Sequence, residues 1–343
     1  MNNIDLIKKL ADRILDGHDT AWEMNIDHFD WVPGVGLYGI WMVYEATGDK
    51  KYLAFLIDWT DRHLGDAKKQ LTVNSTAPLL TIQKLIEITK NQEYLSVCME
   101  MSKFTMFDAP KTPQGALEHT VTEKGSSFNN QMWADTMFMS CIFLAELGKR
   151  NNDNSCIEFA VKQLRIHYQY LWDEHTNLFY HGWDGNTQSN MSGIHWGRAN
   201  AWMLYSTLEI LAVSSDFEGK EEIIHKFQKT IQKLMNLQRE NGMYGTIIDM
   251  DVSYDEASAT AGIACAMIKA HKAGYVGDEV LSSAMKAVNT LKQLVNENGE
   301  LTEVSTGTPV MPSAQGYMDI KKAPTLYGQA FMCMLLKELC VND

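Results

Sequence analysis

Residues 135–172 read DTMFMSCIFLAELGKRNNDNSCIEFAVKQLRIHYQYLW. Apolar residues recur at helical spacing from Asp135 to Leu147, a polar turn runs from Gly148 to Asn152, and a second periodic run extends from Ser155 to Trp172. Recurrence near every 3.6 residues, rather than every second residue, marks helix. The second run carries more Lys, Glu and Gln than the first, as expected when the first helix of a hairpin faces inward and the second faces solvent.

The same pattern repeats on both sides of this stretch. Helices are expected over Ile4–Leu15, Gly36–Ala46, Lys51–Leu64, Ala77–Thr89 and Glu93–Phe107 before it. After it they are expected over Arg198–Val213, Glu221–Gln238, Ala257–Lys272, Asp278–Val295 and Tyr327–Leu339. The intended inner helices carry a small residue near their starts, at Gly39, Ala77, Ala134, Ala199, Ala259 and Gly328. Small residues let helices approach closely at a crowded centre. Six hairpins, with the last helix returning to the first, describe an all-α (α/α)6 barrel. Loops before the inner helices are long and aromatic, including Asp16–Val35, and turns after them are short and polar, which implies one functional mouth. The repeat period is too loose for a TPR or HEAT array. No domain boundary is evident, so residues 1–343 read as a single catalytic domain.

A hydrophobic content of 45% and a charged content of 21% indicate a globular chain with a sizeable core. Lys and Arg total 30 against 43 Asp and Glu, a net charge of −13. That balance argues against nucleic acid or an anionic membrane as a partner. An anionic substrate would need local Arg, His or Lys. The six cysteines form no C-x-x-C pair and read as reduced core thiols rather than a disulfide frame or zinc site. There is no signal-peptide pattern at the start and no apolar run of membrane-spanning length, so the expected location is the cytoplasm. Monomer and homodimer are both open.

Residues 181–202 concentrate the candidate chemistry: His181-Gly-Trp-Asp184, a polar loop, then His195-Trp196-Gly-Arg198-Ala-Asn-Ala-Trp202. Trp and His offer flat apolar faces with polar edges, and Arg offers a fork that matches a carboxylate. Such a set suits a sugar bearing an acid. Asp135 follows Trp133 at the start of an inner helix. Asp is a preferred N-cap, but an apolar Trp nearby can raise a carboxyl pKa toward the value a general acid needs. Capping and catalysis are both open for it. His119, His181 and His195 lie in rim loops with Arg198 and form a candidate recognition set. No H-E-x-x-H or compact ligand cluster is present, so neither a metal nor any other cofactor is expected. Asp249, Asp251, Asp255 and Glu256 are weaker rim candidates. Trp41, Trp59 and Trp172 sit inside helices and read as core.

The elements Gln131-Met-Trp-Ala-Asp135-Thr-Met-Phe-Met, His181-Gly-Trp-Asp184 and Trp196-Gly-Arg198-Ala-Asn-Ala-Trp202 resemble glycoside hydrolase family 105. These are unsaturated rhamnogalacturonyl hydrolases, related to the unsaturated glucuronyl hydrolases of family 88. The likeness extends to Trp31-Val-Pro-Gly-Val and to Glu256-Ala-Ser258. It implies an (α/α)6 barrel and a partner that is an oligosaccharide ending in a 4,5-unsaturated uronic acid. It also implies hydration of that C4=C5 bond, with Asp135 as acid and base. By the same resemblance His119 and His181 are pocket histidines. Trp31, Trp133, Trp196, Arg198 and Trp202 contact sugar, with Arg198 on the uronate carboxylate. One departure stands out: where the family commonly has a second pocket Asp, this chain has Asn74. Alternatives are a sugar epimerase or isomerase on the same barrel, which would shuttle protons with two histidines, and a non-catalytic oligosaccharide-binding barrel.

Overall fold

The computed structural model describes residues 1–16, 21–123 and 128–340, so residues 17–20 of the expected first loop lie outside it. The first half holds helices α1 (Asn3–Leu15), α2 (Trp31–Thr47), α3 (Lys50–His63), α4 (Leu79–Thr89), α5 (Gln92–Lys103), α6 (Ile142–Asn151) and α7 (Asn154–Leu171). The second holds α8 (Gly197–Val213), α9 (Lys220–Leu237), α10 (Ala257–Lys272), α11 (Glu279–Gln293), a short α12 (Ala314–Met318) and α13 (Leu326–Cys340). Helix α2 packs on α4, α4 on α6, α6 on α8, α8 on α10, α10 on α13, and α13 returns to α2. The ring of six closes. Helix α1 lies against α13 and α2, α3 against α2, α5 against α4, α7 against α6, and α11 against α10 and α9. The expected (α/α)6 barrel is the observed fold.

Burial follows the inner and outer assignment. Every residue of α8 from Gly197 to Leu208 and of α10 from Ala257 to Ile268 is buried, as a helix enclosed on all sides requires. Helix α1 buries only Leu6, Ile7, Leu10, Ala11 and Ile14, and α9 only Ile223, Phe227, Thr230, Ile231 and Leu234. Each is one stripe of a two-faced helix. At the crowded centre a Cβ on Gly39 of α2 would stand 2.7 Å from the Cα of Ala330 on α13. Backbone cannot yield as a flexible side chain can. Gly39→Ala is therefore expected to destabilise by about 1–3 kcal/mol through overpacking, although alanine is the better helix former. A urea midpoint at or above the parent's would contradict that close approach.

Three local departures from expectation matter for the site. Helix α2 starts at Trp31 rather than Gly36, because Asp30 accepts the Trp31 N–H at 2.7 Å and caps it. Pro33 then falls in the first turn, where a missing N–H loses no intrahelical bond. The expected helix from Asp135 is interrupted by a π segment at Met137–Cys141 before α6 begins. The Met139 carbonyl there accepts from the Thr76 hydroxyl at 2.9 Å, and the Ser140 hydroxyl donates to Val73 O at 3.0 Å. Finally, strands β1 (Gln131–Trp133) and β2 (Gly182–Asp184) form an antiparallel ribbon, pairing Met132 with Trp183 and Trp133 with Gly182. Three-residue strands are too short to show a period-2 pattern in sequence.

All six cysteines are free thiols, five of them buried. No helix among the described residues is long and apolar enough to cross a membrane.

Candidate active site

The segments preceding α2, α4, α6 and α8, together with residues 307–309 ahead of α13, converge on one cavity of about 340 Å³. Seven of the expected residues line it: Trp31, Asn74, His119, Trp133, Asp135, Trp196 and Arg198. Trp31 stacks on Tyr327 with ring centroids 5.2 Å apart. Trp133 stacks on His119 at 4.0 Å and 11°, and its indole N–H donates to Gln131 Oε1 at 3.0 Å. The walls are therefore flat aromatic faces held by neighbouring rings and strand β1.

Asp135 stands where β1 meets the helical segment, its side chain 14% exposed. No backbone N–H among the described residues donates to its carboxylate, so it is not acting as a cap. Its Oδ2 lies 3.3 Å from His181 Nε2, close but poorly aligned, and both atoms lack a full hydrogen bond. Burial pushes the Asp135 carboxyl up, but His181, His119 and Arg198 together outweigh it and hold the carboxyl below its ordinary value. The neighbouring Trp133 thus does not make Asp135 a ready-protonated acid, contrary to the effect expected from sequence. An ionised Asp135 calls for the Nε2–H tautomer of His181. That leaves His181 Nδ1 to accept from the Tyr317 hydroxyl at 2.8 Å, a tautomer assigned from the hydrogen-bond network.

Burial pushes His119 down to about 4, so it is neutral at physiological pH. Its Nδ1 faces the Thr136 hydroxyl and its Nε2 the Asn74 amide nitrogen, each at 3.5 Å. With Nδ2 turned to His119, Asn74 Oδ1 is a buried acceptor without a donor among the described residues. The Trp196 indole N–H is likewise a buried donor without an acceptor among those residues. Unsatisfied groups of this kind cost about 1–3 kcal/mol each, and here both belong to residues that line the cavity.

Arg198 is almost fully buried between the rings of Trp196 and Tyr327, at 4.4 and 4.7 Å. Its Nη1 donates to Ser258 Oγ at 3.2 Å, Ser305 O at 3.0 Å and Ser305 Oγ at 2.7 Å. Its Nη2 donates to the Thr306 carbonyl at 3.1 Å and the Thr308 hydroxyl at 3.3 Å. Glu256 Oε1 lies 3.7 Å from Nη1. The fork expected to clasp a substrate carboxylate is thus already engaged within the protein. Glu256 is itself fully buried, accepting from Ser258 Oγ, the Ala259 N–H and the Ser305 N–H.

Two expected contacts fall outside the cavity wall. His181 lies behind Asp135, packed on Trp196 at 4.1 Å, and reaches the cavity only through that carboxylate. Trp202 packs on Phe138 and Phe331 at 4.6 and 4.4 Å in the barrel core, so the sugar contact expected of it is corrected to a core role. His195 belongs to a separate cluster, with Asp249 at 2.7 Å and Asp173 at 3.3 Å. Tyr317, Thr308, Trp22, Glu23 and Glu123 are additions the sequence did not single out. Trp22, Glu23, Glu123 and Thr308 line the cavity, and Tyr317 positions His181.

Residues 6–341 match the sequence profile of Glycosyl Hydrolase Family 88. The chain belongs to that family. Among relatives, this family 88 chain is 33% identical over 303 residues to the unsaturated rhamnogalacturonyl hydrolase YesR of Bacillus subtilis strain 168, covering 88% of this chain and 84% of that one. A possible member of the GH105 family from Salmonella enterica serovar Paratyphi A superposes with a TM-score of 0.92 at 29% identity, over 98% of this chain and 93% of the other. The unsaturated glucuronyl hydrolase of Bacillus sp. GL1 shares the fold, with a TM-score of 0.76 at 15% identity over 98% and 96% of the two chains. The expected place in the family 105 and 88 group of hydrolases holds, and this family 88 chain is a glycoside hydrolase.

Proposed function

We propose that the chain removes a 4,5-unsaturated uronic acid from the non-reducing end of lyase-generated oligosaccharides by hydrating its C4=C5 bond, with Asp135 as both acid and base. The observation that carries this reading is a largely buried carboxylate, free of backbone capping and flanked by His181, on an aromatic cavity backed by Arg198. The C4=C5 bond is an enol ether. Protonation at C4 by the Asp135 carboxyl leaves positive charge at C5, shared with the ring oxygen. Water adds at C5 and gives a proton to the Asp135 carboxylate, restoring the acid. The resulting hemiketal opens and the rest of the sugar leaves from C1. One carboxyl group suffices because donor and water act at adjacent carbons, unlike the paired carboxylates that flank an ordinary glycosidic bond.

Substrate recognition follows from the unsatisfied atoms. Asn74 Oδ1 would take a sugar hydroxyl, and the Trp196 N–H an oxygen of the uronate. The Thr308 hydroxyl is the element of the Arg198 shell that lines the cavity. The uronate carboxylate would take the Thr308 O–H over from the Thr306 carbonyl, to which that hydroxyl donates at 2.7 Å, with the guanidinium charge behind it, rather than displace the whole shell. The B. subtilis relative makes rhamnose the first leaving sugar to test. Membership of a hydrolase family favours this reading over an isomerase, and the double bond's ultraviolet absorbance supplies the assay. That absorbance should decay on incubation with unsaturated rhamnogalacturonan digests, and a stable absorbance across pectin, ulvan, chondroitin, heparin and xanthan digests would remove the proposal.

The pH profile tests the acid role separately. With Asp135 held below its ordinary value, the free enzyme is mostly ionised at neutral pH, so kcat/KM should rise as pH falls. Binding an anionic uronate and expelling water both disfavour the carboxylate. The descending alkaline limb should therefore lie at higher pH in kcat than in kcat/KM, since the former reports the complex and the latter the free enzyme. Coincident limbs would contradict that. Acidification also lowers stability. His119 and His167 stay neutral down to about 4 in the fold through burial, against 6.5 ordinarily. The unfolded chain therefore takes up protons first as pH falls through that window.

A further inference from the structure

The β1–β2 ribbon has a tryptophan on each face. Cross-strand partners point the same way and neighbours along a strand point opposite ways. Trp133 and Gly182 thus share the face toward the catalytic cavity, and Met132 and Trp183 share the other. Trp133 lines the cavity, and Trp183 lines a second hollow of about 620 Å³. A smaller hollow of about 290 Å³ continues it along α7 and α9, sharing Tyr168, Gln169, Glu222 and Lys226. A volume of this size falls in the range of about 300–1,000 Å³ that accommodates small-molecule ligands.

Four aromatic side chains surround the larger hollow and remain only half-buried: Tyr170, Trp172, Tyr180 and Trp183. Tyr170 and Trp183 pack at 5.1 Å, tilted by 52°. The Trp183 indole N–H has no acceptor among the described residues. Trp172, which its sequence position assigned to the core, instead stands half-buried at this hollow, just past the last residue of α7. Core packing leaves no reason for four large rings to stay partly open around one concavity. Flat rings with polar edges, beside acceptors such as Asp173 and Asn190, suit a ligand that has both C–H faces and hydroxyl groups. Charge narrows the class. Asp173, Glu174 and Glu222 line the hollow, and its one lysine, Lys226, is paired with Glu222 at 2.6 Å and lies over the Trp172 ring at 5.1 Å. An anionic sugar would meet net repulsion there.

We propose that this hollow is a second saccharide site, taking an uncharged pyranose unit of an oligosaccharide, across the ribbon from the catalytic cavity. Holding a neutral part of a chain on the same protein raises the local concentration of its ends. The site's existence does not depend on the chemistry at Asp135.

The test titrates the intact protein with saturated, uncharged tri- and pentasaccharides of rhamnose, galactose and xylose, which lack both the alkene and the carboxylate of the proposed substrate. Weak, saturable binding by calorimetry is expected. Tyr170→Ala and Trp183→Ala should each weaken it by about tenfold, and Trp133→Ala, in the catalytic cavity, should leave it intact. Tyr170→Ala should also retain turnover of a short unsaturated disaccharide, which shows that it folds. No saturable binding to any member of the panel would overturn the proposal. So would binding that disappears in Trp133→Ala but survives Tyr170→Ala, since the saccharide would then occupy the catalytic cavity. A saturated galacturonate trimer binding the hollow as tightly as the neutral sugars would overturn the assignment to an uncharged unit. A failed turnover assay with intact neutral-sugar binding would count against the hydration reading alone.

Discussion

Asp135→Asn should fold with only slightly less stability than the parent and lose turnover by about 10²–10⁴-fold, the usual contribution of a positioned proton donor. An amide matches the carboxylate in shape but can neither give a proton to C4 nor take one from water. The stability loss should be small because the carboxylate caps no helix and its Oδ2 has no full hydrogen bond to lose. Removing the charge relieves a burial cost but gives up the larger attraction to His181 and Arg198, so a small net loss of stability is expected. The expected pattern is a collapsed kcat, little change in KM, and a urea midpoint only slightly lowered. A variant with parental kcat would take the proton transfer away from Asp135. One that unfolds would mean that the pairing with His181 is structural instead.

Arg198→Ala should be damaging for a different reason. It leaves Glu256 as a fully buried carboxylate without its cation, and deprives Ser305, Thr306 and Thr308 of their common donor. Breaking one side of a buried ion pair costs about 3–5 kcal/mol, and the rings of Trp196 and Tyr327 lose the plate between them. The urea midpoint should fall steeply before any substrate is added. Glu256→Gln in the same chain should recover part of the loss, because the remaining buried group is then neutral. Normal stability in the single variant, with only a raised KM, would restore Arg198 to the direct carboxylate contact that its type suggested.

The barrel was readable because each helix announces itself through a local period, and small residues mark where helices meet. The start of α2 was not, since Pro33, Gly34 and Gly36 look like loop residues until the first-turn and close-packing contexts are known. Asp135 stood out from Trp133 two positions earlier. Trp202 was misplaced for a geometric reason. It shares a helical face with Arg198, but four residues carry it about 6 Å further along the axis, below the cavity and into the core. The shell around Arg198 was hidden because Ser305 lies 107 positions away in sequence, and Tyr317 lies 136 from His181. Only the closed ring brings such pairs together.

The widened turn at Met137–Cys141 has a consequence for how this barrel can vary. One surplus residue in a turn swings everything upstream by about 100° around the axis while the downstream rows of side chains keep their places. The direction in which residue 135 aims is thereby uncoupled from the interlocking of α6 with its neighbours. A hydroxyl borrowed from Thr76 holds the displaced carbonyl in place. Chemistry at the lip can be re-aimed by gain or loss of a single residue there, with the six-membered ring beneath left undisturbed.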